Sequence, residues 1–494
     1  MLILNTKHIR AIENAAFEAG LPVASLMEKA GLALFFEFHR IYSRQTHHHV
    51  GLLAGPGHNG GDALVLAREL LLSGRKVTVW SPFSKRKNLT ANHLAWYESL
   101  GGTLTENLSD LIICDVLVDG LLGFGLDTPP SGFLREGILW LNIQKSPVVS
   151  LDVPSGLCSD TGVPLDIAVK ATHTLMLTPR RIGLYEAAAL PYCGELIPIE
   201  IGLTDEFCNH IVKTISPNAL CIRDLNCEKS LQTLFARPSP NATKYTSGRA
   251  LILAGSLKYP GAAVLAALAC RSAGPGFIAI ETVSDAQIAL LSLAPDLVFV
   301  PQISGNFPAT TPEHHKKYDA ILCGCGIDND QAKLNYCFSA STTTLILDAD
   351  ALNMMAAKNL WPHSSANVII TPHEAEFARL FPKLAHHAPR CEAAFFAAQK
   401  TNSIVVLKGE RTVIASPTGE VFINTQTTPA LAKAGTGDVL AGLITAFAAR
   451  GLSPLEAAKC GVWLHSQRAL EIEATLSASH CNAMRLATHA PCVD

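Results

Sequence analysis

The chain has 494 residues, of which 48% are hydrophobic and only 16% charged, with a formal net charge of -3. A length well beyond about 300 residues exceeds one ordinary core and calls for two or three domains, and a charged fraction below the roughly 25% of typical soluble domains demands extensive burial. The near-neutral balance supplies no broad positive field, which argues against a nucleic-acid surface or an anionic membrane and leaves small molecules as the expected partners.

The first residues turn polar after four and lack the apolar run of about 7–15 residues that marks an export signal, so a cytoplasmic protein is expected. Residues 6–38 read as helical, and His47, His48 and His49 as a solvated loop. From residue 50 one rhythm repeats: a short β-branched or Leu-rich run, a Gly/Pro/Asp turn, then an amphipathic or Ala-rich stretch. It predicts parallel α/β structure with strands at 50–54, 76–80, 111–119, 148–152 and 174–177. Between residues 205 and 247 the rhythm fades into polar, Pro and Gly residues, and a break there divides the chain into domains 1–210 and 211–494. It resumes with a strand at 250–254, a helix at 262–273 and strands at 277–281, 320–323, 344–348, 368–371, 403–408 and 412–415, before a long helix from about Asp438. The most apolar helical stretch, 262–270, falls far short of the roughly 18 residues of a membrane span. The 14 cysteines are scattered and are expected as free thiols; Cys323 and Cys325 lack a second Cys/His pair at zinc spacing.

After the first strand, Gly55, Gly57 and Gly60 fit G-x-G-x-x-G, which brings backbone amides to a phosphate at a helix N-terminus; the other reading is simply a tight strand-to-helix turn. A plain dehydrogenase would end the next strand in Asp or Glu for the ribose, but this strand ends Trp80-Ser81-Pro82. Two later strands end in Asp119 and Asp152, and loops after successive parallel strands converge outside the carboxyl edge of the sheet. Asn59, Asp119 and Ser155 are therefore candidate oxygen ligands for a hard cation. Asp152 is left for proton transfer, with a turn-capping role before Pro154 as the alternative.

These residues belong to a larger pattern: Leu26-Met27-Glu28-Lys29-Ala30-Gly31, the loop His58-Asn59-Gly60-Gly61-Asp62, Asp119 followed by Gly123-Phe124-Gly125-Leu126, and Asp152-Val153-Pro154-Ser155-Gly156-Leu157. Through them residues 10–203 resemble the N-terminal domain of the bifunctional NAD(P)H-hydrate repair family. The resemblance implies a Rossmann-like sheet and an epimerase. It implies that His58, Asn59, Gly60, Gly61, Asp62, Gly123, Phe124, Gly125, Leu126, Asp127, Thr128, Pro129 and Asp152 hold the hydrated cofactor, NADHX or NADPHX. Asn59, Asp119 and Ser155 would bind potassium. His58, Phe124 and Arg181 stand where that family usually carries Asn, Thr and Lys.

In the second half, Ala434-Gly435-Thr436-Gly437-Asp438 opens a helix. Its amides form an anion hole for a phosphoryl group, and Asp438 is placed to take a proton from an attacking hydroxyl. Lys408-Gly409-Glu410-Arg411-Thr412 joins two strands and offers amides and a cation to nucleotide phosphates. Asp348, Asp350 and Asn353 follow another strand, and Thr371-Pro372-His373-Glu374 a third, where His373 reads either as a ligand contact or as a helix cap. With Ala254-Gly255-Ser256, Gly261-Ala262-Ala263 and Gly324-Cys325-Gly326, residues 244–465 resemble the ribokinase-like dehydratase domain of the same family. By that resemblance Ala262, Ala263, Gly326, His373 and Asp438 contact the hydrate. Lys408, Gly409, Glu410, Arg411, Thr412 and Gly437 contact the adenine nucleotide, ADP, with Mg2+ accompanying it. A homo-oligomer is compatible with this reading. Tyr245, Cys325, Asp328 and Thr428 replace the family's usual Gly, Pro, Gly and Asn. Two rival readings are a vitamin kinase of the ribokinase group and a non-catalytic cofactor-binding scaffold; the fused first domain counts against one, and the presence of Asp152 and Asp438 against the other.

Overall fold

A computed structural model of the protein describes residues 2–228, 231, 241–301, 317–339, 343–362 and 367–489. The chain divides into two units, Met1–Ala219 and Leu220–Asp494. The helix Asp205–Ile215 runs through position 210, where the sequence suggested a break. It stays with the first unit because Thr204 caps it and Asp205 accepts a hydrogen bond from the Leu2 amide at 3.1 Å.

The first unit contains β1 (Ile3–Leu4), β2 (His49–Ala54), β3 (Lys76–Trp80), β4 (Thr103–Thr105), β5 (Val116–Gly120), β6 (Val148–Leu151), β7 (His173–Leu177), β8 (Arg180–Arg181) and β9 (Glu195–Ile199). Seven of them form a parallel sheet in the order β4-β3-β2-β5-β6-β7-β9, while β1 and β8 pair as a separate ribbon. Every residue of β2 and β5 is buried, as expected for parallel strands covered on both faces. The helices Thr6–Glu18, Val23–Ile41 and His58–Leu72 account for the helical segments around the first strand.

Two sequence expectations are corrected here. Residues 111–119 are not one strand: Leu108–Leu111 is a 3-10 turn, and the strand begins only at Val116. The apolar run misleads because Ile112 and Ile113 are 61% and 68% exposed rather than paired into the sheet. His49 is not in a solvated loop but opens β2, buried, with Nε2 3.0 Å from Thr78 Oγ1 on the neighbouring strand.

The second unit contains β10 (Cys221–Asp224), β11 (Arg249–Leu253), β12 (Phe277–Glu281), β13 (Val298–Phe299), β14 (Ala320–Cys323), β15 (Thr344–Leu347), β16 (Val368–Ile370), β17 (Ile404–Leu407), β18 (Val413–Ala415) and β19 (Glu420–Ile423). They make one sheet in the order β10-β19-β18-β17-β16-β15-β14-β11-β12-β13. All pairs are parallel except those of β18, which runs antiparallel to β17 and β19. The connection from Leu407 to Val413 is too short for a crossover helix, so a strictly parallel arrangement is impossible there. Helices Pro260–Ser272 and Thr436–Ala449 pack closely enough that a Cβ on Gly442 would lie 2.3 Å from the Ala266 carbonyl oxygen. Among the described residues, no helix is long and apolar enough to cross a membrane, and no disulfide joins the cysteines.

Candidate active sites

Each sheet has one point where the strand order reverses and neighbouring loops part, and ligands of open α/β sheets bind in that crevice. In the first unit it lies between β2 and β5, so the turn after β2 faces the loop after β5. A Cβ on Gly60 would fall 1.9 Å from the Gly55 carbonyl oxygen, and one on Gly55 1.9 Å from that of Leu121, whereas Gly57 faces open space. Two glycines of the fingerprint are therefore required by the turn itself, and Gly57 is the one that leaves room for a ligand.

Asp119, near the end of β5, is completely buried. Its Oδ1 accepts from Ser155 Oγ at 2.5 Å and the Leu121 amide at 3.3 Å; its Oδ2 accepts from Ser150 Oγ at 2.8 Å and the Ser155 amide at 2.9 Å. Burial raises the carboxyl pKa, and these neutral donors oppose it. Asn59 donates through Nδ2 to the Leu122 and Leu151 carbonyls at 2.9 and 3.2 Å, and its Oδ1 is left buried without a hydrogen-bond partner among the described residues. Ser155 Oγ also lies 3.3 Å from the Leu122 carbonyl oxygen, so the three candidate cation ligands meet around one loop. A buried amide oxygen without a donor and a buried carboxylate with only neutral donors, linked through Ser155 and the Leu122 carbonyl, fit a singly charged cation, since each group is costly to bury uncompensated.

Asp152 follows β6 in the left-handed region at φ 66°, a conformation that costs a non-glycine residue on the order of 1 kcal/mol or more. Its Oδ1 accepts from Arg181 Nη2 at 2.7 Å and its Oδ2 from the Phe124 amide at 3.3 Å. Burial pushes the Asp152 carboxyl up, while Arg181 and the Phe124 and Leu177 amides pull it down. Asp62, on the helix His58–Leu72, is raised well above the usual carboxylate range by burial and by the charges of Asp152 and Glu13. Burial also raises Glu13, with Arg181 opposing. Of the three carboxyls Asp152 alone is bonded to Arg181, and burial and then mutual repulsion raise the other two, an arrangement of unequal neighbouring acids suited to proton exchange. Around the rim, His58 is exposed, with its pKa lowered by partial burial and then by Lys87. Gly125, Asp127, Thr128 and Pro129 are exposed and Leu126 half-buried.

In the second unit the strand order reverses between β11 and β14, and the loops after them are joined by the Gly255 amide donating to the Cys325 carbonyl at 2.8 Å. Gly326, at φ 63°, lies against Ala262: a Cβ there would sit 2.9 Å from that of Ala262. Ala263 is buried at the start of the same helix. Gly435 takes the left-handed φ of 86° that opens the helix Thr436–Ala449 and sets Gly437 and Asp438 in its first turn, where amides have no intrahelical acceptor. The Asp438 carboxyl is pushed up to about 7, mainly by burial and then by Asp348; the Cys325 thiol, hydrogen-bonded to it, and Lys408 hold it down. Lys408 Nζ is 2.7 Å from Asp348 Oδ1 and 4.0 Å from Glu376 Oε2, and only 3.5 Å from where a Cβ on Gly437 would stand. Burial works against the charged ammonium, but the two carboxylates outweigh it and raise its pKa.

His373 caps the helix Glu374–Leu380: its Nδ1 accepts from the Ala375 and Glu376 amides at 3.1 and 3.4 Å, and Glu376 closes a capping box. Cys323 and Cys325 do not share a ligand, since Cys323 pairs with Cys337 and Cys325 with Asp438. Glu410 and Gly409 are exposed, Arg411 and Thr412 half-buried. Arg390, which the sequence reading passed over, clamps this segment by donating to the Leu407, Lys408 and Arg411 carbonyls at 3.3, 3.4 and 3.4 Å while pairing with Glu374. No local signal marks it, because it sits on another helix 18 residues from Lys408. Two of the replaced positions have visible local roles: Asp328 adopts φ 56°, with its amide bonded to Asp350, and buried Thr428 accepts from the Ala430 amide.

Residues 23–181 match the family model described as YjeF-related protein N-terminus, and residues 250–491 match NAD(P)H-hydrate dehydratase. The bifunctional NAD(P)H-hydrate repair enzyme Nnr of Thermosynechococcus vestitus is 40% identical over 95% of this chain and 93% of its own. The enzyme of the same name from Gloeobacter violaceus is 39% identical over 94% of this chain and 92% of its own. The chain belongs to the bifunctional NAD(P)H-hydrate repair enzyme family. The match to the dehydratase model runs to residue 491, beyond the 244–465 span marked by motifs. An ADP/ATP-dependent NAD(P)H-hydrate dehydratase from Bacillus subtilis, co-crystallized with ATP/Mg2+, is 30% identical over 54% of this chain and 95% of its own, with a TM-score of 0.48. Membership in the repair family disposes of the lone vitamin kinase, because the relatives match across both units.

Proposed function

We propose that the first unit interconverts the R and S forms of NADHX and NADPHX and that the second dehydrates the S form with ADP, releasing AMP and phosphate. In the first, Asp152 moves the proton as the bond at the hydroxylated ring carbon is broken and remade, with the Gly57 turn and residues 123–129 framing the hydrate. In the second, Asp438 takes the hydroxyl proton while the terminal phosphoryl of ADP is transferred to that oxygen, against Gly435 to Gly437 and Lys408. The phosphate ester then leaves as phosphate, a ring proton is lost, and the dihydronicotinamide is restored. Ala262, Ala263 and Gly326 supply a close-packed wall for the hydrate, and residues 408–412 receive the nucleotide.

The observation that carries the reading is Asp438, a carboxyl poised near pH 7 in the first turn of a helix, beside an ammonium and an anion-accepting glycine turn. Potassium would be held by Asn59, Asp119 and Ser155, where it would compensate buried oxygen charge. Among the described residues no group of three His, Cys, Asp or Glu is placed to hold a metal, so magnesium would arrive on the nucleotide phosphates. A cytoplasmic setting suits both substrates. Incubating the purified chain with hydrated NADH, with and without ADP, tests the whole: nucleotide-dependent recovery of dihydronicotinamide absorbance is expected, and its absence for the pure S form would refute the dehydratase.

A further inference from the structure

Arg181 is 2% exposed, and its guanidinium is committed on three sides. Nη2 donates to Asp152 Oδ1 at 2.7 Å; Nη1 donates to the Leu177 carbonyl at 3.2 Å and to that of Pro179; and Cζ stands over the Phe124 ring, 4.6 Å from its centroid. Nε is buried with no hydrogen-bond partner among the described residues. The backbone beneath is pinned as well, because Arg181 pairs with Leu4 across the β1–β8 ribbon. Phe124 closes the circuit: its amide donates to Asp152 Oδ2 at 3.3 Å and its carbonyl accepts from Ser159 Oγ at 2.8 Å. Each carboxylate oxygen of Asp152 therefore bonds a different member of one pair, the Leu177 amide adding a further contact, and the members also touch each other.

We propose that Arg181 and Phe124 act as a single positioning unit for Asp152, the guanidinium fixing one oxygen, the Phe124 amide the other, and the aromatic ring holding the guanidinium in plane. This rests on the epimerase reading above. The chemistry requires the coupling. A guanidinium taken out of water with one nitrogen unpaired lacks hydration on its flat face, and an aromatic ring supplies negative potential there, whereas an ammonium offers no flat face to stack. The ring in turn fixes residues 123–126 above the carboxylate, which is where a hydrate framed by that loop must be held. The other ionisable groups around this site are the acids Glu13, from the helix Thr6–Glu18, and Asp62, from the helix His58–Leu72, and one further cation, Arg10, which acts on Glu13 and pairs with Asp127 at 3.6 Å; Arg181 is the cation bonded to Asp152 itself.

The test uses the full chain in R181Q, R181K, F124L and the F124L/R181Q double variant, following kcat and KM for R-to-S conversion and deuterium uptake of a peptide covering residues 121–127. R181Q is expected to lower kcat on the order of 10²-fold with KM nearly constant, and R181K to restore part of the loss. F124L should lower kcat about two- to thirtyfold, the range of a desolvated cation–π contact. The double variant should fall no further than R181Q, and uptake should rise in both single variants. R181K and F124L keep the question open to experiment should R181Q not fold. Losses that multiply in the double variant, or uptake unchanged in both F124L and the folded Arg181 variant, overturn the proposal. A wild-type chain that does not epimerise, or D152N matching wild type, overturns the epimerase reading instead, and the uptake comparison then still decides whether the pair holds this loop.

Discussion

Asp152 stands on a left-handed residue just past β6 and is gripped by a guanidinium, whereas Asp438 stands in the first turn of a regular helix and is touched by a thiol and approached by an ammonium. Asp152 is buried and Asp438 half-buried, each among loops at one edge of its sheet. The difference lies in how their charge is compensated. Asp152 has its counter-ion in direct contact, fixing its orientation at the expense of strained backbone. Asp438 lacks such a contact: Lys408 spends its short bond on Asp348, and the carboxyl is left near 7, free to gain or lose a proton at neutral pH. A rigidly oriented carboxylate suits a step needing geometry in both directions, and a loosely paired one suits a base that must be recharged each turnover.

The sharpest way to break this comparison is to remove each carboxyl. Asp438→Ala is expected to lower ADP-dependent recovery from the S form by about 10²–10⁴-fold while R-to-S conversion continues, and Asp152→Asn to do the reverse. If either substitution suppressed both reactions, the two units would not hold independent sites. Next in size is Lys408→Ala, which strips the cation from Asp348 and Glu376 and from beside Gly437. Charged hydrogen bonds of about 1.5–3 kcal/mol translate into ADP binding weakened about 10–10²-fold in calorimetric titration. Wild-type affinity would mean that Lys408 serves only its two carboxylates.

A smaller effect is expected from the cation site of the first unit. Removing potassium, or making Asp119→Ala, should slow R-to-S conversion on the order of tenfold and leave dehydration of the S form untouched. If conversion proceeds equally in potassium-free buffer and Asp119→Ala matches wild type, then Asp119 is a turn-forming carboxyl held by Ser150 and Ser155.

What could be read in the sequence was what physics makes local. Strands buried on both faces read as continuous apolar runs, and their ends announce themselves in Asp, Gly and Pro, so Asp119, Asp152 and the Gly435 turn were legible. The segment 111–119 failed because an apolar run does not specify burial: Ile112 and Ile113 face outward. The clamps were illegible for another reason. Arg181 meets Asp152 across 29 residues and Arg390 meets Lys408 across 18, and no periodicity links an arginine to a carbonyl or carboxylate on a separate element. His373 shows the remaining ambiguity, since a histidine before Glu374-Ala375-Glu376 reads equally as ligand or cap until the capping box is seen.

The finest adjustment in the comparison is the thiol. Cys325 is buried at the end of the loop after β14, and its Sγ–H donates to the Asp438 carboxylate; burial and the neighbouring carboxylates push the thiol's own pKa far above neutrality, so it stays a donor. A hydrogen bond to the charged form favours that form, which is why Cys325 holds Asp438 down against burial and Asp348. Cys325→Ala removes the donor and adds no charge, so the Asp438 pKa must rise from about 7. As a base, Asp438 works only when ionised, and the rate of dehydration falls as pH drops through its pKa. The acid limb of the Cys325→Ala profile is therefore expected at higher pH than in wild type, with a loss of about two- to tenfold below neutrality, the size of one modest hydrogen bond, that disappears in alkaline buffer. Cys325→Ser, which keeps a donor of similar size, should return the limb toward its wild-type position. A limb that stays fixed in Cys325→Ala, or a loss equally deep at every pH, would show that Cys325 only fills space beside Asp438, and the base would then owe its poise to burial and to the charges of Asp348, Lys408 and Asp350.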